Sequence, residues 1–490
     1  MDHKYLISGS SDNKWSGLVL LGIVFLGAVL RLWGLDFQSL WNDELSSMSV
    51  GASGSFGSIL NLLAKDPTNP PGYYVFLYFV EKFGDSEFIL RLPSAICGTL
   101  SIGMIYVLGC RLYSWREGLI SSALLSFLQC PIYFSQEARP YAILLLLSLV
   151  SFNLLFTIFE EVGSNKDASI RVCVAYVLVS VLSCYMHYYG AFIVFLQGVM
   201  MIALLYRNFK AVHCLGMVYL AILLAYLPWV VNVINVHLDW LPAPGGIAES
   251  FTGYIQMLFN YSPYLFLLAI VLYFFVLVRC FREIFAGHVK KDFFLLGWLI
   301  LPFVAVFLIS RFTSFHVMGY RYLTIFSPAA YLLFSRAIVL LPFGFFIKWI
   351  GLVVMSVSLL CHLIFGLHYY SRPTKEQFRE AVGYIIQNDR FSTKSIVIGS
   401  VWNHDYLDYY FKKGKSNKRL SYILNYDRVS SFYSVEHSVS DYVWYIHMNV
   451  PCDYEFIGLM RKSMIEVMSK DFIGGKVYLF KRKSLAEGSV

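Results

Sequence analysis

Charge is scarce in this chain. Only 14% of its 490 residues are Asp, Glu, Lys or Arg while 58% are apolar, a balance that excludes an ordinary water-soluble enzyme and points to a membrane. Paired cysteines are lacking as well. The nine cysteines, at 97, 110, 130, 173, 184, 214, 280, 361 and 452, show no short paired spacing, and eight of them lie in or beside apolar runs. Neither a disulfide framework nor a cysteine metal site is indicated. There is no HExxH, Walker or GxGxxG context, so no metal site is read from a motif. Internal repeats and low-complexity linkers are missing too.

What is present is a series of apolar runs long enough to span a bilayer: 16–34, 87–110, 117–135, 140–159, 171–186, 190–206, 211–233, 254–278, 293–310, 320–340 and 344–366. They predict a polytopic α-helical membrane protein with about 11 transmembrane helices. The first run has no small-residue cleavage pattern before SLWNDE and is read as a retained helix.

Residues 70–83, PPGYYVFLYFVEKF, are apolar but too short to cross unaided. If they stay on one face, fourteen Lys and Arg fall on one side of the membrane part: Lys4, Lys14, Arg111, Arg116, Lys166, Arg171, Arg207, Lys210, Arg279, Arg282, Lys290, Lys291, Arg336 and Lys348. Seven fall on the other: Arg31, Lys65, Lys82, Arg91, Arg139, Arg311 and Arg321. The positive-inside rule then places the N-terminus in the cytoplasm. It makes the Pro-Pro segment a juxtamembrane helix on the outer face. On this topology SLWNDE, DPTNPPGYY, SQEARPYA, CYMHYYG, VHLDWLPAPGG and RFTSFHVMGYRYL all emerge on the outer side.

Beyond about residue 370 the sequence changes character. Eighteen of the 39 Lys and Arg lie there and supply most of the net charge of +8. Such a basic tail suits anionic head groups or polyanionic glycans better than nucleic acid. RPTKEQFREAVGYIIQ reads as an amphipathic helix. KSIVIGSV, DYVWYIHM and KVYLFKR read as strands, with CDYEFIGLMRKSMIEVM as a helix between the last two. The division expected is a transmembrane domain, 1–369, and a small extracytoplasmic α/β domain, 370–490.

Several constellations on the outer side carry both a plain and a functional reading. Asn42 reads as an N-cap with Asp43 and Glu44 in the first turn, where the helix dipole favours negative charge, and with Trp41, Leu45 and Met48 as the apolar stripe. A capped turn is equally a way to hold a base rigid. DPTNPPGYY is a proline turn opening a helix, and it also brings the amide of Asn69 and the hydroxyls of Tyr73 and Tyr74 to a head group. SQEARPYA sets Gln136, Glu137 and Arg139 outside a helix whose N1 residue is read as Pro140. Arg139 and Arg321 are either snorkelling anchors or a phosphate-binding pair aided by nearby tyrosines. His187 among tyrosines reads first as an interfacial hydrogen-bonding group; His316, Asp239 and Trp240 carry weaker signals.

The ordered set of LWNDE, NPPGYYVFLYFVEKFGDSEFILRLPSAICGTLSIGMIYVLGCRLY and YFSQEARPYA, followed by HYYGAF and GYRYLTIFSPA, resembles the polyprenyl-phosphate-sugar-dependent membrane glycosyltransferases of the GT-C type. These include protein O-mannosyltransferases and the lipid A aminoarabinose transferase. The resemblance is good over about the first 210 residues and patchy to about 340. It implies a carboxylate of the first outer loop, Asp43 with Glu44 beside it, as base toward the acceptor. It implies Arg139 and Arg321, with Asn69, Tyr73 and Tyr141, as binders of the donor phosphate, and Gln136, Glu137, His187 and Tyr320 as further substrate contacts. One departure concerns Asn69, where relatives of the aminoarabinose transferase carry lysine before the Pro-Pro pair.

The function expected is transfer of a hexosyl or pentosyl group from a polyprenyl phosphate to a cell-envelope glycan, lipid or protein. It would take place at the outer face of a bacterial cytoplasmic membrane, by inverting displacement. The chemistry calls for no cofactor, though an Asp-Glu pair is also a donor set that a divalent ion can use. A transporter or flippase of lipid-linked sugars is the alternative. It predicts functional polar residues on both faces and at mid-membrane.

Overall fold

In the computed structural model of the chain the described residues are 12–483, apart from 52–53, 164–166, 206–207, 237–246, 285–289, 313–318, 391–394, 416–419, 423–440 and 452. The chain divides into two compact units. One comprises Met1–Trp33, Gly54–Gly84 and Ile89–His368; the other joins Gly34–Ser53 and Asp85–Phe88 to Tyr369–Val490.

The first unit is helical. Among the described residues seven helices are long and apolar enough to cross a membrane, Trp15–Leu32, Glu87–Leu112, Tyr141–Val162, Phe209–Asn235, Phe294–Phe312, Arg321–Leu340 and Phe346–Gly366, or up to nine if each of two bent pairs is one span. Two shorter apolar helices, Ile170–Met186 and Tyr188–Ala203, stand where two further crossings are expected from sequence.

The bends have local causes. Between Trp115–Phe127 and Gln129–Ser135 the axis turns by 61°, because Leu128 adopts an extended conformation (φ −72°, ψ 142°). Between Thr252–Leu258 and Pro263–Arg279 it turns by 93°, through Asn260 and Tyr261 at φ 53° and 56°. One break serves the other. The Asn260 side-chain carbonyl accepts the Gln129 amide at 2.7 Å, satisfying a backbone donor that the broken helix leaves unpaired.

Arg31 joins the first helix to this bent pair. Fully buried, its guanidinium donates to the carbonyls of Leu125 (2.7 Å), Gly27 (3.0 Å) and Ser126 (3.3 Å), and to Ser135 Oγ (3.2 Å). A charge so far from water is tolerated because every nitrogen of the guanidinium meets a carbonyl or hydroxyl oxygen.

The Pro-Pro segment forms Gly72–Glu81, a helix of ten residues. At 1.5 Å per residue that is about 15 Å, half of a bilayer's hydrocarbon thickness. Gly72 permits its close approach to Ile170–Met186, since a Cβ there would lie 2.6 Å from the Tyr185 carbonyl oxygen. A second short helix, Phe56–Lys65, precedes it and is capped by Ser55 Oγ; the sequence reading contains no helix there.

The second unit contains a five-stranded sheet. β1 (Ser395–Ser400), β2 (Leu420–Tyr422), β3 (Tyr442–Met448), β4 (Met464–Phe472) and β5 (Gly475–Arg482) lie in the order β2-β1-β3-β5-β4. The first three pair in parallel, and β5 pairs antiparallel with β3 and β4. Ile396, Ile398, Val443, Tyr445, Phe480 and the helix residues Phe456 and Met460 form its core.

Here the sequence reading needs correction. The helix expected over 452–468 stops at Ser463, and Met464 (φ −132°, ψ 162°) turns the chain into β4. Pairing with β5 satisfies the strand's backbone along one edge. The helices Phe378–Asn388 and Asp405–Lys413 also belong to this unit, and the second of them is not anticipated.

Candidate functional site

The sequence-derived candidates divide between the two units. Asp43 and Glu44 belong to the second; Asn69, Tyr73, Gln136, Glu137, Arg139, Tyr141, His187, Tyr320 and Arg321 belong to the first.

The acidic loop opens the helix Asn42–Gly51. Asn42 is its first residue rather than its cap. The Leu45 amide already donates to the Trp41 carbonyl at 2.9 Å, so Trp41 holds the cap position. Glu44 then completes half of a capping box, its Oε2 accepting the Trp41 amide at 3.3 Å. Trp41, Leu45 and Met48 are buried as the apolar stripe requires.

The two adjacent carboxylates therefore differ in environment. Glu44 is fully buried, and the ammonium of Lys375, itself 4% exposed, lies 3.9 Å from its Oε2. Asp43 is half-buried, and its carbonyl accepts Ser47 Oγ–H at 2.8 Å. The segment entering the helix is fixed by residues more than 330 positions away in sequence. Tyr410 Oη accepts the Leu40 amide at 2.7 Å, Ser39 Oγ donates to the Glu376 carbonyl at 2.6 Å, and Gln38 Oε1 accepts the amides of Thr374 and Lys375. Glu87 meets Lys413 at 2.8 Å and Arg379 at 3.2 Å. Arg379 also donates to the carbonyls of Asp36 and Phe37. A loop held this way presents Asp43 on a rigid mount.

A shared metal site at Asp43 and Glu44 fits poorly. Glu44 Oε2 already receives a backbone N–H, and an ammonium beside it opposes a second cation. Elsewhere among the described residues, His404, Asp405 and Asp408 cluster within ligand distance. The first two are exposed, and His404 and Asp405 pair with each other at 3.1 Å.

In the first unit the remaining candidates converge on an aromatic cluster. Arg139 is 7% exposed, with its guanidinium carbon 5.7 Å from the Tyr141 ring centre. Its backbone carbonyl accepts Ser94 Oγ–H at 3.3 Å. Tyr141 packs against Phe134, Cys130 and Met257, 6.1 Å from the His187 ring and 6.2 Å from Tyr322. His187 lies 5.1 Å from Tyr322, and Tyr189 lies 5.1 Å from it as well. Arg321, half-buried, stands beside Tyr322 in the short helix Tyr320–Leu323. The rings flanking the two arginines thus meet.

His187 falls between the helices Ile170–Met186 and Tyr188–Leu205. Its Nδ1 accepts the Tyr189 amide at 3.1 Å. Burial, and after it the Arg139 guanidinium, hold the imidazole well below its ordinary pKa. The ring is neutral and can offer Nε2–H.

The Asn69 loop is tied to the same end of these helices, because Tyr188 Oη donates to the Pro67 carbonyl at 2.5 Å. Asn69 is half-buried, and Tyr73 and Tyr74 are buried with edge-on rings 6.1 Å apart. Gln136 has a mechanical part, its amide donating to the carbonyls of Trp33 (2.8 Å) and Arg31 (3.1 Å) at the end of the first helix. Glu137 is fully buried. The side chain of Tyr320 and the residues His316, Asp239 and Trp240 lie outside what is described.

Sequence reasoning passes over Tyr322 and Tyr189, although both sit in motifs that it singles out, HYYGAF and GYRYL. It also passes over Lys375 and Tyr410, for which no local signal exists.

No protein family profile and no curated protein sequence matches the chain. Solved structures do. ArnT from Cupriavidus metallidurans in the apo state superposes with a TM-score of 0.59 at 14% identity, over 96% of this chain and 98% of that one. The same protein bound to undecaprenyl phosphate gives 0.57 at 14% identity over the same shares. The oligosaccharyltransferase AglB from Archaeoglobus fulgidus, in complex with an inhibitory peptide and a dolichol-phosphate, gives 0.54 at 11% identity, over 98% of this chain and 76% of that one. The chain has the fold of the GT-C membrane glycosyltransferases.

Proposed function

We propose that this chain, built on the GT-C fold, is a glycosyltransferase that moves a sugar from a polyprenyl phosphate to a cell-envelope glycan, lipid or protein at the outer face of a bacterial cytoplasmic membrane. The observation that carries the reading is the end-to-end likeness to ArnT, 96% of this chain against 98% of that one, one of whose structures holds undecaprenyl phosphate. The motif order in the sequence and the arginine-tyrosine cluster around Arg139 support it.

In this reading the donor phosphate is bound by Arg139 and Arg321, with the tyrosines and the neutral His187 supplying neutral donors. Asp43 accepts the proton of the acceptor hydroxyl as its oxygen attacks the anomeric carbon. The bond from that carbon to the phosphate oxygen breaks on the opposite face, and the phosphate leaves as an anion. The configuration inverts, so no carboxylate is needed as a covalent nucleophile. Charge gathers on the departing phosphate, where preorganised guanidiniums act. Glu44 serves as a brace for the loop rather than as a second base.

The test uses purified protein in detergent with a labelled polyprenyl-phosphate sugar and an envelope-derived acceptor fraction. Arg139→Ala should raise the apparent KM for the lipid donor at least tenfold. An unchanged value refutes the assignment of the phosphate to Arg139.

A further inference from the structure

One bent span away from Arg139, a cavity of about 160 Å³ opens between the helices Trp115–Phe127, Ser327–Leu340 and Phe345–Cys361. Ile120, Val339 and Leu352 supply apolar lining, and Arg116 and Lys348 supply two positive charges. Trp349 forms an aromatic wall, stacked on Trp115 with ring centres 5.8 Å apart and planes at 21°. The Arg116 guanidinium carbon lies 5.3 Å from the Trp115 ring centre.

Lys348 Nζ donates one hydrogen bond to the Val339 carbonyl at 2.6 Å, which pins the ammonium at the rim while an ammonium has three donors to give. None of the described lining residues is acidic. The carboxylate next in sequence to Arg116, Glu117, is buried and paired with Arg336 at 2.9 Å.

We infer that this cavity binds the phosphate of an anionic membrane phospholipid whose acyl chains run along the helix Phe345–Cys361. Two cations over an apolar floor, at the end of membrane-length helices, complement a group that is anionic at its head and apolar behind it. Size argues in the same direction. The cavity falls short of the roughly 300 Å³ at which pockets begin to enclose whole small ligands, so it takes a head group and leaves the chains outside. Ile350, Val353, Val354 and Val357 on that helix are exposed and form the surface such chains would cover. The site is separate from the arginine-tyrosine cluster and does not rest on the glycosyltransferase reading.

The full chain, purified in detergent, is titrated by native mass spectrometry with phosphatidylglycerol, with phosphatidylcholine, and with phosphatidylglycerol plus millimolar inorganic phosphate. Phosphatidylglycerol should bind more tightly than phosphatidylcholine. Arg116→Gln/Lys348→Gln should weaken its tightest binding about 30-fold, equivalent to about 2 kcal/mol for two charges near a membrane surface. The charge-preserving Arg116→Lys/Lys348→Arg should keep it within about threefold. Photoactivatable phosphatidylglycerol on the wild-type protein should cross-link to the peptide containing Trp349 and Leu352, a readout that needs no variant to fold. Equal affinity of the neutralised variant, equal binding of phosphatidylcholine, or cross-links confined to other helices would overturn the inference. Displacement of the lipid by inorganic phosphate would overturn it in favour of a soluble anion.

Discussion

Lys375→Met should loosen the acidic loop while touching neither Asp43 nor its backbone. The ammonium lies 3.9 Å from Glu44 Oε2, with the two side chains 4% and 0% exposed. At an effective dielectric constant of about 20 that separation corresponds to an attraction of about 4 kcal/mol. Desolvation of both ions offsets part of it, so the net value of the pair is small, yet stranding one charge costs on the order of 3–5 kcal/mol. Glu44→Gln strands the other charge while leaving an amide oxygen to accept the Trp41 N–H. The double variant removes both charges, and its cost should fall below the sum of the single ones by about 2–3 kcal/mol. Native-state hydrogen exchange on amides of Asn42–Gly51 and Phe378–Asn388 reads this as a local opening free energy. If the double variant matches the sum within about 0.5 kcal/mol, the two groups do not brace each other and the loop is held by its other bonds alone.

Two further outcomes follow from packing and titration. Gly190→Ala would place a methyl 1.9 Å from the Ser183 carbonyl oxygen; backbone must move, and the protein should lose about 1–3 kcal/mol, read as a lower temperature of half-inactivation in detergent. His447 on β3 is held below its ordinary pKa by burial and by Lys476, against its hydrogen bond to the Val450 backbone carbonyl and the charge of Asp471, which act upward. Its folded form is therefore the neutral one. The stability this implies is present above the unfolded value of about 6.5 and falls away as pH drops below it. The loss is bounded by one proton, about 1.4 kcal/mol per pH unit. Melting of the sheet followed by exchange of the β3 amides should fall between pH 7 and pH 5.5 and flatten in His447→Gln.

The helices of the first unit were readable because hydropathy over some 20 residues is a long-window signal, and PPGYYVFLYFVEKF was readable as a short helix of its own. Boundaries set by a few atoms were less readable. Asn42 has the residue type of a cap, but the helix begins one position earlier because Glu44 reaches back to the Trp41 amide. The stretch MIEVM carries apolar residues at both helical and strand spacings, and the choice falls to strand only because β5 offers an edge to pair with. Tyr406, Leu407, Tyr410 and Phe411 are buried along one side of Asp405–Lys413, an amphipathic pattern that was present in the sequence and passed over. Lys375 is a different case. Its position beside Glu44 depends on the tail folding back onto residues 34–53, and no local pattern encodes that. Arg31 reads as one more basic residue in a topology count, whereas the structure spends it on three carbonyls and a hydroxyl.

Glycosyl transfer with Asp43 as the base is tested most directly by Asp43→Asn in the labelled-donor assay, because asparagine keeps the side chain's shape and removes its capacity to take a proton. The wild-type chain should transfer the sugar, and the variant should lose about 10²–10⁴ in kcat with its melting temperature unchanged. Transfer by Asp43→Asn at the wild-type rate would contradict the mechanism.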